Sequence, residues 1–80
     1  MFYYVYILQS EKDHNRFYTG FTKNLDIRLT YHNSGRCPHT SKFKPWRIKT
    51  AIAFTVREKA LDFEKYLKTS SGRAFVKKRL

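Results

Sequence analysis

Cysteine is nearly absent from this chain of 80 residues. Cys37 stands alone, which excludes an internal disulfide and any zinc cluster built on cysteines. No apolar run is long enough to cross a membrane, and the most apolar stretch, Met1 to Leu8, is full of tyrosine and lacks a basic leader. A cytoplasmic protein with no membrane partner is the expectation.

Acid is scarce too: six Asp and Glu stand against 17 Lys and Arg, a formal net charge of +11. Between Asp26 and Glu58 there is no acidic residue, yet Arg28, Arg36, Lys42, Lys44, Arg47, Lys49 and Arg57 all fall there. Lys77-Lys78-Arg79 adds a second basic cluster. A surface so one-signed attracts polyanions by counterion release, with no sequence specificity required. Nucleic acid is the expected partner, and Arg36, Lys42, Lys44, Arg47 and Lys49 are its candidate contacts. An anionic membrane fits less well, because no basic amphipathic helix dominates.

What is present suffices for one core. The chain is 41% apolar, with seven Phe, six Tyr and one Trp, and aromatics bury a large area each. Residues 1–80 are expected to form a single domain. Phe2 to Leu8 is β-branched and aromatic, the composition of a strand covered on both faces. Glu11 to Asn15 supplies a turn, and Arg16 to Phe21 a returning strand. Asn24 suits the N-cap of a helix to about Asn33, with Asp26 in its first turn and Gly35 at its C-terminal end. Residues 35–45 hold both prolines and no periodic pattern, so they read as a loop. Trp46 to Phe54 reads as a third strand, with Ile48, Thr50, Ile52 and Phe54 on one alternating face. A second helix follows from about Val56 to Thr69; Ser70-Ser71-Gly72 breaks it, and Arg73 to Arg79 forms a third. The order β-β-α-β-α-α implies an α+β fold: a three-stranded, mainly antiparallel sheet flanked by helices.

Helical phase singles out a few polar residues. With successive residues about 100° apart, Ala60, Leu61, Phe63 and Leu67 form an apolar arc that also contains Glu64. A carboxylate on the core side requires a cation or a hydrogen-bonding partner. Taken alone, Glu64 is most simply a partner for a nearby lysine. In the first helix Leu25, Leu29 and His32 share a face, and Arg28 flanks it. Arg28 and His32 are four residues apart, so their side chains are expected to converge, with the arginine able to grip a phosphate. A single histidine on an apolar face is equally a satisfied core residue. Tyr6 and Tyr18 lie on the two arms of the hairpin, where packing is the ordinary role of tyrosine.

Tyr4-Val5-Tyr6, then Tyr18-Thr19-Gly20 after eleven residues, resembles the signature of the GIY-YIG nucleases. Arg28 and His32 match that family's Arg-x-x-x-His, and Glu64 in Ala60-Leu61-x-x-Glu64-x-x-Leu67-Lys68 matches its metal-binding glutamate. The His32-Asn33-Ser34-Gly35 loop and the Pro45-Trp46 entry to the third strand are similar to small stand-alone bacterial members. Tyr4 replaces the first glycine of the signature and Thr19 the isoleucine of its second triplet. The resemblance implies hydrolysis of phosphodiester bonds in DNA, weakly specific or structure-directed, with RNA as a second substrate class. It implies Mg²⁺, or Mn²⁺ in its place, on Glu64, and Arg28 neutralising charge on the phosphate. Tyr6 would take the proton of the attacking water, with Tyr18 orienting it or sharing that role. A free phenol titrates near pH 10, so the resemblance also implies a site that lowers that value. Two other readings remain: a nuclease-like module that binds nucleic acid without cutting it, and a small basic protein whose tyrosines and arginine only pack.

Overall fold

The computed structural model describes residues 1–80. Strand β1 (Tyr3–Ser10) pairs antiparallel with β2 (Phe17–Thr22) on one side and with β3 (Trp46–Phe54) on the other, giving the order β2-β1-β3. Helix α1 (Leu25–Asn33) connects the hairpin to β3 through a loop with one short 3₁₀ turn at Ser41–Phe43. Helices α2 (Arg57–Leu67) and α3 (Ser70–Arg79) complete the chain. No helix is long and apolar enough to cross a membrane.

Helices cover both faces of the sheet, and the central strand shows it. Val5, Tyr6, Ile7 and Leu8 are all buried, as an uninterrupted apolar run in a doubly covered strand should be. Val5 and Ile7 pack with Ala60 and Leu67 of α2, joined by Phe63 and by Phe75 and Val76 of α3. Tyr6 and Leu8 point the other way, toward Trp46 and toward Leu25 and Leu29 of α1. Alternation along one strand thus feeds two separate apolar clusters.

The expected single face of β3 is corrected by its pairing. Ile7 stands opposite Thr50, but Leu8 stands opposite Ile48, so Lys49 is an extra residue at a β-bulge. Beyond it the strand's even positions change sides. Phe54 packs with the Val5 cluster, whereas Ile48 and Trp46 pack with Tyr6 and Leu8. The even residues share burial, as the alternation implied, but not a face.

Two ends also differ from expectation. Ser70-Ser71-Gly72 is the first turn of α3, because the Thr69 hydroxyl accepts a hydrogen bond from the Gly72 amide and caps the helix there. Only Lys68 and Thr69 separate α2 from α3. At α1, the Asn24 side chain accepts from the Ile27 amide as anticipated, the C-cap is Ser34, and Gly35 follows at φ +84°, a conformation glycine adopts without strain.

Candidate active site

Tyr6 is placed by its position in the central strand. Its cross-strand partner in β2 is Gly20, and the phenol ring lies directly over that residue. A β-carbon at position 20 would collide with the Tyr6 ring and hydroxyl, so only glycine leaves room for it. The hydroxyl then reaches His32 Nε2 at 2.9 Å, across a sequence separation of 26. His32 Nδ1 lies 3.0 Å from Thr40 Oγ1, and the Thr40 carbonyl accepts from the Trp46 indole at 2.8 Å. Asn33 secures the same corner by bonding both the amide and the carbonyl of Trp46. Tyr6 is 2% exposed, His32 1% and Thr40 0%, and every buried polar side-chain atom has a partner. His32 is therefore a satisfied buried histidine whose partner is the motif tyrosine.

Tyr18 completes an aromatic group. Its ring centroid is 4.8 Å from that of His32 and 6.5 Å from that of Tyr6. Tyr18 is only partly buried, so it is the phenol of the pair that meets solvent.

Arg28 and Glu64 stand further out. Arg28 is exposed, with its guanidinium carbon 5.6 Å from the Tyr31 ring, in a hollow that Asp26 and Arg36 also line. Its charge nonetheless acts on both buried groups, lowering the pKa of Tyr6 and of His32. Glu64 comes from α2, which covers the opposite face of the sheet, and its carboxylate is felt at Tyr6. Its Oε2 accepts from Lys68 Nζ at 3.2 Å; the carboxylate side chain is 18% exposed and the lysine's 53%. The lysine partnership that the bland reading of Glu64 required is thus present.

The packed chain by itself sets the proton affinities of this pair. Burial raises the Tyr6 phenol far above its usual value, and Tyr18 and Glu64 add to that; Arg28 opposes them and loses. Burial, aided by Arg28, lowers the pKa of His32, so its imidazole is neutral at pH 7. The fold alone keeps both members of the pair uncharged.

The candidate nucleic-acid contacts line more than one hollow. Arg36 faces the Arg28 hollow, while Lys49 lines a separate groove with Tyr18. Arg47 donates to the Gln9 side chain. Sequence reasoning gave no role to Thr40 and did not foresee why position 20 is glycine. Thr40 lies in the unpatterned loop, where no local signal marks it. Gly20 was visible as part of the motif, but its reason is a contact made across the sheet.

No group of three or more His, Cys, Asp or Glu side chains converges anywhere in the fold, so there is no all-protein metal cage. Glu64 offers a hard-oxygen donor whose charge reaches Tyr6. That suits an ion of the Mg²⁺ type, which keeps several waters and completes its shell with substrate phosphate.

Comparison with known proteins agrees with this architecture. The chain is 38% identical to the UPF0213 protein BH0048 of Halalkalibacterium halodurans over 74 residues, covering 91% of this chain and 77% of that one. It is 39% identical over 70 residues to the structure-specific endonuclease subunit SLX1 of Scheffersomyces stipitis, covering 79% of this chain but only 21% of that longer protein. The solution structure of the UPF0213 protein BH0048, under the organism name Bacillus halodurans, superposes with a TM-score of 0.56 at 30% identity, over 95% of this chain and 82% of that one. The family model for the GIY-YIG catalytic domain matches residues 2–79, and the chain belongs to that family.

Proposed function

We propose that the protein is a metal-dependent endonuclease that hydrolyses phosphodiester bonds in DNA, weakly specific or directed by structure. The observation that carries this reading is the buried Tyr6–His32 contact of 2.9 Å, beside a second, solvent-facing tyrosine. Similarity to a structure-specific endonuclease subunit supports the substrate class. A divalent ion, Mg²⁺ or Mn²⁺, held by Glu64 would supply Lewis-acid stabilisation of the scissile phosphate and the leaving oxygen.

The remaining roles belong to the chain. The Tyr6 hydroxyl donates to His32 Nε2, and His32 Nδ1–H donates to Thr40. When water attacks phosphorus, Tyr6 takes its proton and passes its own to His32. A phenolate therefore never has to stand alone in buried surroundings, where its formation is most unfavourable. The leaving oxygen departs with the P–O electron pair and takes a proton from solvent, and His32 gives up its extra proton through Tyr6 to water. Tyr18 orients the water, and Arg28 offsets charge on the phosphate oxygens. Arg36, Lys42, Lys44, Arg47 and Lys49 serve as phosphate contacts.

The test is a gel assay on labelled duplex, branched and single-stranded DNA and on RNA, with Mg²⁺, Mn²⁺ or EDTA. Metal-dependent cleavage that disappears in Glu64→Gln while binding persists is the expected result. Salt-sensitive binding with no metal-dependent product would replace the enzyme with a non-cleaving binding module.

A further inference from the structure

The free edge of β2 and the α2–α3 corner enclose a groove of about 810 Å³. Its walls include Phe17, Tyr18, Lys49, Lys68, Arg73 and Lys77, and no acidic side chain. Four cations around one hollow repel one another unless an anion enters. Lys49, Arg73 and Lys77 have no acidic partner, since the only ion pairs are Arg16–Asp13 and Lys68–Glu64. Phe17 is half exposed at the rim, with Lys49 Nζ 5.8 Å from its ring centroid. An exposed aromatic ring flanked by unpaired cations is suited to a nucleic-acid strand, with phosphates on the cations and a base or sugar on the ring.

The groove meets the candidate active site at two points. The Tyr18 ring lies 4.8 Å from that of His32, tilted by 56°, and Lys68 reaches Glu64. Of the contacts expected from the acid-free central segment, only Lys49 lies in it; Lys68, Arg73 and Lys77 come from the C-terminal part of the chain.

We infer that this groove holds the DNA strand next to the scissile bond, an assignment that rests on the nuclease reading above. Lys49, Lys68, Arg73 and Lys77 contact its phosphates, and Phe17 is the surface it lies against. The groove takes the strand past Tyr18 toward Glu64.

Binding to a fluorescein-labelled DNA duplex in EDTA, followed by anisotropy across a salt series, tests the assignment. The double variant Arg73→Gln/Lys77→Gln changes two exposed residues of the groove; Lys59→Gln/Lys65→Gln makes the same charge change at exposed positions of α2 outside it. The groove variant should flatten the log–log salt slope by about 1.8, at about 0.9 for each lost phosphate contact, while the other keeps the wild-type slope. Phe17→Ala should weaken binding to a labelled single-stranded oligonucleotide about tenfold with the slope unchanged. Circular dichroism melts of all variants separate these effects from unfolding. Equal slope changes in both double variants, or none in the groove variant, overturn the groove. A wild type with no salt-dependent DNA binding overturns instead the nucleic-acid reading on which it rests.

Discussion

The Tyr6 hydroxyl and His32 Nε2 meet at 2.9 Å in the interior, joining the central strand to the last turn of α1. Thr40 holds the far side of the imidazole, so the pair has one geometry. On the proposed reading, catalysis and stability would depend on the same hydrogen bond.

Tyr6→Phe removes the hydroxyl and leaves a buried ring nitrogen without a partner. Urea unfolding should show a loss of about 1–3 kcal/mol. Cleavage should fall by about 10²–10⁴, the usual range for general-base help. A variant that retains full cleavage would exclude Tyr6 from proton transfer.

Gly20→Ala should damage the same pair from the opposite side, because the new methyl group occupies the space of the Tyr6 ring. Overpacking of this kind costs about 1–3 kcal/mol. Urea midpoints compared with Thr19→Ala, one residue away, will show whether the effect belongs to position 20.

The pH profile of stability should have two limbs. His32 has a lowered pKa in the fold, so its contribution is complete above the unfolded value near 6.5 and is lost as pH falls through the folded one. Tyr6 has a raised pKa, so its contribution is complete below about 10 and is lost as pH rises above that. Urea midpoints measured from about pH 4 to about pH 11 should decline at both ends. Substituting His32 by Gln should flatten the acid limb, and Tyr6→Phe the alkaline one.

Glu64→Gln breaks only a partly solvated pair with Lys68, and such pairs contribute about 0–1 kcal/mol. The melting temperature should barely move, while metal-dependent cleavage disappears. A large fall in stability would instead make Glu64 a structural residue.

Arg28→Ala tests a group that acts on Tyr6 through its charge and makes no buried contact. Stability should change little, and cleavage should fall without loss of the Tyr6–His32 pair. Retained near-ultraviolet circular dichroism will report that the aromatic group is intact.

Element order was legible along the chain, because turn residues, strand composition and helical phase are properties of near neighbours. Helical phase also marked Glu64 as an acid within an apolar arc, and its exposure of 18% fits that position. The order of Tyr6, Tyr18, Arg28, His32 and Glu64 was enough to point to the family. Phase did not show how far each would be buried: the helix buries His32 and leaves Arg28 at the surface.

Tertiary structure alone decided the rest. The bulge at Lys49 sends β3 residues of one alternation to two faces, which no local pattern records. The Tyr6–His32 contact spans 26 residues and depends on sheet register, on the space left by Gly20 and on the path of the loop that carries Thr40. Burial then moves the proton affinities of both groups, and burial is a property of the packed chain, not of its residues taken in order.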